Sequence, residues 1–258
     1  MQWRALLKLV VDCLCLSMQV AVGGDMVISA SDISVVIPTI NEQDNIVAAV
    51  ESALGAGAVE VWVADGGSTD STIQYARQAG ALVCCGDAGR AVQQNNGAKH
   101  ATKLILCFLH ADNRLDSAAL QQAAIYFSED GANRWSCFHQ SIEAPGIAYS
   151  LLQWGNAWRA RWLGRVYGDQ AITVSRELFE VIGGFPEVDL MEDVLLSKTL
   201  LHLGLHPCVL AGPVRISARR WIKKGVIRQT LSNWWLLLQL RLGKKTNQLA
   251  RHYRRHDG

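Results

Sequence analysis

The chain has 258 residues, half of them apolar and 19% charged, with a formal net charge of +2. Low hydrophobicity and high net charge are both missing, which excludes a disordered chain. The 22 Gly follow no period and no heptad is sustained, which excludes collagen-like and coiled-coil chains, and no uninterrupted apolar run of about 18 residues offers a membrane span. Charge is unevenly placed. Residues 1–218 hold 14 basic and 22 acidic side chains, net −8, whereas residues 219–258 hold 11 basic and 1 acidic, net +10. An acidic body with a basic tail suits phosphates on a nucleotide, a membrane surface or RNA, and equally a solvated helix face.

Met1 to Val22 is apolar with Arg4 near its start, in the manner of a signal peptide or short anchor. Lys8 and Asp12 interrupt it, so residues 1–30 are read as an extension outside the fold and residues 31–258 as a single domain. The regular pattern begins at Ile33–Ile37, a β-branched strand that Pro38 should stop. Asn41 to Leu54 has helical spacing, with Asn41 as N-cap and Gly55 as stop. Strands follow at 59–63, 81–84 and 104–109. Between them a helix opens at Ser68-Thr69-Asp70 and ends near Gly80, and another spans Gly89 to His100.

This alternation implies right-handed βαβ units and a mostly parallel, Rossmann-like sheet flanked by helices. Ligands on such sheets bind beyond the carboxyl ends of the strands, which points to loops 38–42, 65–70, 86–90 and 110–114. The second half is less regular. A helix is expected over 116–128, a strand near 134–139, a Trp-rich amphipathic stretch at 147–163 and a strand at 171–175. A turn at Gly183-Gly184, a helix after Glu192-Asp193 and a helical tail over 222–241 complete the order.

The seven cysteines (Cys13, Cys15, Cys84, Cys85, Cys107, Cys137, Cys208) are odd in number and form no CxxC pair. They indicate neither a disulfide framework nor a zinc site, and a reducing cytosol suits them. Four constellations carry chemistry. Asp65-Gly-Gly-Ser-Thr-Asp70 follows a strand and opens a helix; its Ser, Thr and Asp suit a cap, while a carboxylate at the strand exit can accept from a base or ribose. It is neither the dinucleotide fingerprint nor a P-loop. His110-Ala-Asp112 ends the strongest strand, where an imidazole and a carboxylate can ligate Mn²⁺ or Mg²⁺, or merely face solvent. Glu192-Asp193 suits a helix dipole, or a general base aimed into a cleft. Arg219-Arg220-Trp221 offers two guanidiniums to a diphosphate.

In order and interval these motifs resemble the inverting family 2 glycosyltransferases of GT-A fold, and more narrowly a small bacterial branch associated with arsenosugar biosynthesis. The resemblance covers about residues 33 to 243. It rests on Val-Val-Ile-Pro-Thr-Ile-Asn-Glu42, the Asp65–Asp70 run, Gly89-Arg-Ala-Val-Gln-Gln-Asn-Asn-Gly97, Phe-Leu-His110-Ala-Asp112, Tyr167-Gly-Asp-Gln170, Gly183-Gly-Phe-Pro, Met-Glu-Asp193 and Ser217-Ala-Arg-Arg-Trp221. It implies that Thr39, Glu42 and Asp65 hold the donor nucleoside, with Arg90 near its base or phosphates. By the same resemblance Asp112, with His110, ligates a divalent cation, Mn²⁺ or Mg²⁺, that bridges the diphosphate. Asp193, with Glu192 beside it, deprotonates the acceptor hydroxyl. Gly168, Asp169 and Gln170 lie near the acceptor, and Arg219, Arg220 and Trp221 close over the diphosphate. Many relatives have Asp where this chain has His110, so the metal choice is left open.

The partners implied are a nucleotide-sugar donor, UDP favoured, and a small-molecule or lipid-linked acceptor, with no nucleic acid. The expected location is the cytoplasm. Residues 231–242 alternate Trp and Leu between basic flanks, which suits peripheral contact at the inner face of the membrane or a helix packed on the core. The competing readings are a sugar-phosphate nucleotidyltransferase and a non-catalytic nucleotide-sugar-binding protein. The first lacks its Gly-rich loop after the first strand, and the second is at odds with the presence of both Asp112 and Asp193.

Overall fold

The structure, a computed structural model, describes residues 27–129, 134–218, 221–222, 225–244, 246 and 248–249. Most of the 1–30 extension and Arg219 and Arg220 therefore lie outside the described residues. Ile28 and Ala30 already pack on the core, and the Ile28 amide donates to Ser128 Oγ at 2.9 Å, so the fold begins slightly before residue 31.

β1 (Ile33–Thr39) is buried throughout and lies inside the sheet. It is followed by α1 (Ile46–Gly55), β2 (Glu60–Asp65), α2 (Thr72–Gln78), β3 (Leu82–Cys85), α3 (Arg90–His100), β4 (Ile105–Phe108) and β5 (Asn113–Leu115). Then come α4 (Ala119–Ser128), β6 (Trp135–Ile142), α5 (Ile147–Leu163), β7 (Thr173–Ser175), α6 (Arg176–Val181), α7 (Glu192–His202), β8 (Cys208–Ile216) and α8 (Val226–Arg241). The eight strands form one sheet in the order β3-β2-β1-β4-β7-β6-β8-β5. β7 and β5 run against the others, so the sheet is mixed but mostly parallel, as expected.

Alternation along β1 divides the core. Ile33, Val35 and Ile37 face the layer of α1 and α4, with Ile46, Ala49, Val50, Leu120 and Phe127. Val36 faces the other layer, with Ala91 and Ala98 of α3, Leu106, Phe108, Leu178 and Leu196. Gly97 makes that second contact close: a Cβ there would overlap Val36 Cγ1. The Gly183-Gly184 turn is held to α3 by Asn95, which accepts from the Phe185 amide and donates to its carbonyl, both at 2.9 Å.

Three expectations change. Pro38 does not end β1, which continues to Thr39: beyond Val36 only β2 pairs with the strand, so no ladder to β4 is interrupted. Asn41 is not the cap of α1, which starts at Ile46. It sits at φ +52° and its Oδ1 accepts from the Thr69 amide at 2.8 Å, tying the loop after β1 to the loop after β2. β8 was not anticipated, because Gly212-Pro213 reads as a turn. Here the pairing with β6 shifts register across that pair, and the Gly212 amide donates to Gln122 Oε1 at 2.6 Å instead.

Candidate active site

The carboxyl ends of β3 and β4 bring three expected residues to one cleft of about 160 Å³. Arg90 opens α3 after Gly89, whose φ of +144° lets the chain turn sharply into the helix. His110 and Asp112 leave the end of β4. Asn113 Nδ2 donates to the Asp169 carbonyl at 3.2 Å and so joins this exit to the 168–170 turn.

The opposite wall is the start of α7. Met191 precedes it at φ +70°, a conformation that costs a non-glycine residue about 1 kcal/mol or more and tends to be kept where geometry serves function. Asp193 Oδ2 accepts from the Gly168 amide at 2.6 Å, and Oδ1 accepts from the Val194 amide at 2.7 Å. Gly168 has no room for a side chain: a Cβ would lie 2.7 Å from His110 Nε2 and 3.3 Å from Asp193 Oδ2. The glycine therefore lets imidazole and carboxylate approach one turn of backbone from two sides. Tyr167, Asp169, Trp221 and one face of α8 complete the lining, the last through Gln229, Asn233, Leu236 and Leu237.

Glu192 behaves differently from its neighbour. It does not line the cleft, and its side chain is only 2% exposed. Arg90 Nε donates to its Oε1, and Arg90 Nη2 to its Oε2 at 3.3 Å. Burial, then the adjacent Asp193, push the Glu192 carboxyl above its usual range, while Arg90 opposes them. Expected beside Asp193 as a catalytic residue, it stands outside the cleft lining with its carboxylate paired to Arg90.

Several other expected residues stand apart from the cleft lining. Thr39 and Asp65 are register partners at the ends of β1 and β2, and Gln93 Nε2 donates to the Thr39 and Ala64 carbonyls at 2.5 and 3.0 Å. Asp65 Oδ2 accepts from the Gly67 and Ser68 amides at 2.8 Å each, and Oδ1 from Ser68 Oγ, so its carboxylate organises its own loop. Glu42 Oε2 accepts from Asn45 Nδ2 at 2.7 Å. Of the acceptor trio only Asp169 lines the cleft. Gln170 is fully buried, and its Oε1 accepts from Arg159 Nη2 at 2.9 Å and the Tyr167 amide at 3.3 Å. The Arg159 guanidinium stacks 3.6 Å from the centre of the Tyr167 ring, so α5 fixes a cleft residue from behind. Tyr167 and the α8 face were missed as site residues. The signal for the latter was present in Gln229 and Asn233, polar positions one turn apart on the same helical face as Leu236 and Leu237.

The residues fit a cation that arrives with a diphosphate. Among the described residues no group of three or more His, Cys, Asp and Glu side chains is arranged to hold a metal ion alone. Hard cations of this kind commonly take one or two protein carboxylates and complete their shell with substrate phosphates and water. Asp112 faces the cleft and suits that role, whereas His110 Nε2 is buried against Gly168.

A mixed sheet flanked by helices, with an acidic cleft bordered by arginine beyond its strand ends, is a GT-A glycosyltransferase fold. The model of the family described as glycosyl transferase family 2 matches residues 34–163, half of the chain, and the protein belongs to that family. No curated relative matches it. Among solved structures it is similar to S. aureus TarS 1–349 in complex with UDP, at 21% identity and a TM-score of 0.57, over 72% of this chain and 60% of that one. The same TarS fragment in complex with UDP-GlcNAc gives 21% identity and a TM-score of 0.58, over 72% and 58%. The mannosyltransferase PcManGT from Pyrobaculum calidifontis, in complex with GDP-Man and Mn²⁺, gives 17% identity and a TM-score of 0.57, over 82% and 65%. The chain thus spans about 60% of the TarS fragment, and at these identities the likeness establishes the fold.

Proposed function

We propose that this protein transfers a sugar from a nucleoside-diphosphate donor, UDP favoured, to an acceptor hydroxyl with inversion at the anomeric carbon. The observation that carries this reading is Asp193, held at a helix start by the Gly168 amide and facing a cleft that also contains Asp112 and Arg90. Asp193 is the base. Its two amide contacts fix the carboxylate at the start of α7. It takes the acceptor proton as the acceptor oxygen attacks the anomeric carbon from the side opposite the leaving diphosphate. A single carboxylate base is enough for such an inverting displacement.

Negative charge builds on the departing diphosphate, and Arg90, aimed by Glu192, neutralises part of it. Asp112 would hold a divalent cation, which when bound supplies further neutralisation there. Asp169 and Tyr167 border the space left for the acceptor. Thr39, Glu42 and Asp65 shape the nucleoside side, Asp65 by ordering the 65–68 turn. The donors bound by TarS and PcManGT support a nucleotide sugar as substrate, and Mn²⁺ in the latter supports a cation. Within the family, the order of the eight motifs supports the arsenosugar-associated branch.

Calorimetric titration with UDP and then GDP, each with Mn²⁺, Mg²⁺ or chelator, tests the donor site. Cation-dependent UDP binding that disappears in Asp112→Ala is the expected result. Failure of both nucleotides to bind under any condition overturns the proposal. An acceptor screen with the preferred donor then decides the branch.

A further inference from the structure

Helix α5 presents a face that the described residues leave exposed. Ile147, Leu151, Trp154, Trp158 and Trp162 recur at intervals of 4, 3, 4 and 4 residues, so they share one helical stripe. All five are exposed, Ile147 by 81%, Trp154 by 67% and Trp162 by 68%. The helix is anchored by its other side: Ala160 is fully buried, and Asn156 Nδ2 donates to Gln140 Oε1 of β6 at 2.6 Å. Between the three indoles and β8 runs a groove of about 490 Å³, with His139 and Arg161 among apolar walls. Contiguous apolar surface of this kind on a protein marks a binding face.

Charge selects the occupant. Residues 147–168 contain Arg159, Arg161 and Arg165 and no acidic residue, in a body that is net −8 to residue 218. Arg161 is exposed and lines the groove with Trp158 and Trp162. Helix α8 repeats the arrangement. Leu231, Trp235, Leu238 and Leu242 are exposed at intervals of 4, 3 and 4, with exposed Arg228 and Lys244 nearby and no acid from residue 219 to 256. A symmetric pairing of this face with a second copy would set arginine against arginine. Indoles on two helices that carry arginine and no acidic residue match the interface of an anionic bilayer, where the ring sits at headgroup depth and the cation meets phosphate.

We propose that the tryptophan stripe of α5, together with the outward face of α8, docks this protein on an anionic lipid surface. No helix among the described residues is long and apolar enough to cross a membrane, so the contact is peripheral. It stands independently of the donor chemistry above.

Flotation of the full chain with vesicles of phosphatidylcholine alone, or of phosphatidylcholine with phosphatidylglycerol, reads the contact directly and without any enzymatic assay. The chain is expected to float with the anionic vesicles, less so at high salt. Replacing Trp154, Trp158 and Trp162 together by Ser is expected to reduce the bound fraction about tenfold or more. Arg161→Glu, which leaves the indoles in place, is expected to weaken binding to anionic vesicles; circular dichroism checks the fold of both variants. The proposal is overturned if the parent stays in the aqueous phase with both vesicle types, or if both variants bind as the parent does. A concentration-dependent dimer that the triple variant abolishes, without flotation, assigns the face to a second copy and likewise overturns it.

Discussion

In the first half of the chain Glu60 stands at the start of β2, buried, with its carboxylate accepting from Trp62 Nε1 at 2.6 Å, Thr102 Oγ1 at 2.8 Å and Ser34 Oγ at 3.0 Å. In the second half Glu192 is buried more deeply, and its neighbours are the Asp193 carboxylate and one partly exposed arginine. Burial pushes both carboxyls upward. At Glu60 the donors from Trp62, Thr102 and Ser34 outweigh burial and hold it below its usual range, whereas at Glu192 burial and Asp193 prevail. One carboxylate has its charge stabilised by the fold's own hydrogen bonds and stitches β1, β2 and the turn before β4 together. The other lies beside a second carboxylate at the edge of the cleft, with Arg90 as its partner.

Five variants sharpen or break this contrast. Asp193→Asn keeps the acceptor for the Gly168 amide and removes the base; transfer rate in a nucleotide-sugar assay should fall by about 10²–10⁴, with the melting temperature little changed. Glu192→Gln should cost far less activity, and an equal loss would mean that Glu192 is itself the base. Gly97→Ala, in the first half, should destabilise by up to about 3 kcal/mol through overlap with Val36, visible as a lower denaturant midpoint.

Arg90→Ala leaves the buried Glu192 carboxylate without its guanidinium, at a cost of about 1–3 kcal/mol given the partial exposure of the arginine. Because the folded-state Glu192 carboxyl is raised above its ordinary 4.5, its contribution is present below that value and is lost as pH rises through the raised one. The Arg90→Ala variant should therefore lose stability more steeply with rising pH than the parent does. Glu60 has the opposite sign. Its lowered carboxyl contributes above its ordinary 4.5 and is lost as pH falls through the folded value. Glu60→Gln should cost about 1 kcal/mol at neutral pH and flatten the acid limb of a stability–pH curve.

The first half was the more legible because its signals are local. A β-branched run such as Ile33–Ile37, or the small-residue face of Arg90–His100, states its own period and burial, and βαβ handedness then fixes the neighbours. β8 escaped because Gly212-Pro213 breaks the pattern, and its place between β6 and β5 is secured by partners distant in sequence. The same division holds in the site. Asp112 and Asp193 could be picked out by residue type and by their place at a strand or helix end, and Arg90 through the family resemblance. Yet nothing local distinguishes Glu192 from Asp193, or Asp169 from Gln170.

By itself the sequence determined the alternation of strands and helices, the parallel sheet, the acidic body with its basic tail, and the chemistry on offer at the strand exits. Only the tertiary structure decided which carboxylate enters the cleft, that Gly168 must lack a side chain for His110 and Asp193 both to approach it, and that α8 lines the cleft with one face and exposes apolar side chains on the other. Periodicity and capping are written over a few neighbouring residues. Side-chain direction and the compensation of buried charge depend on groups up to a hundred positions away, as between Arg90 and Glu192, and those distances exist only once the chain has folded.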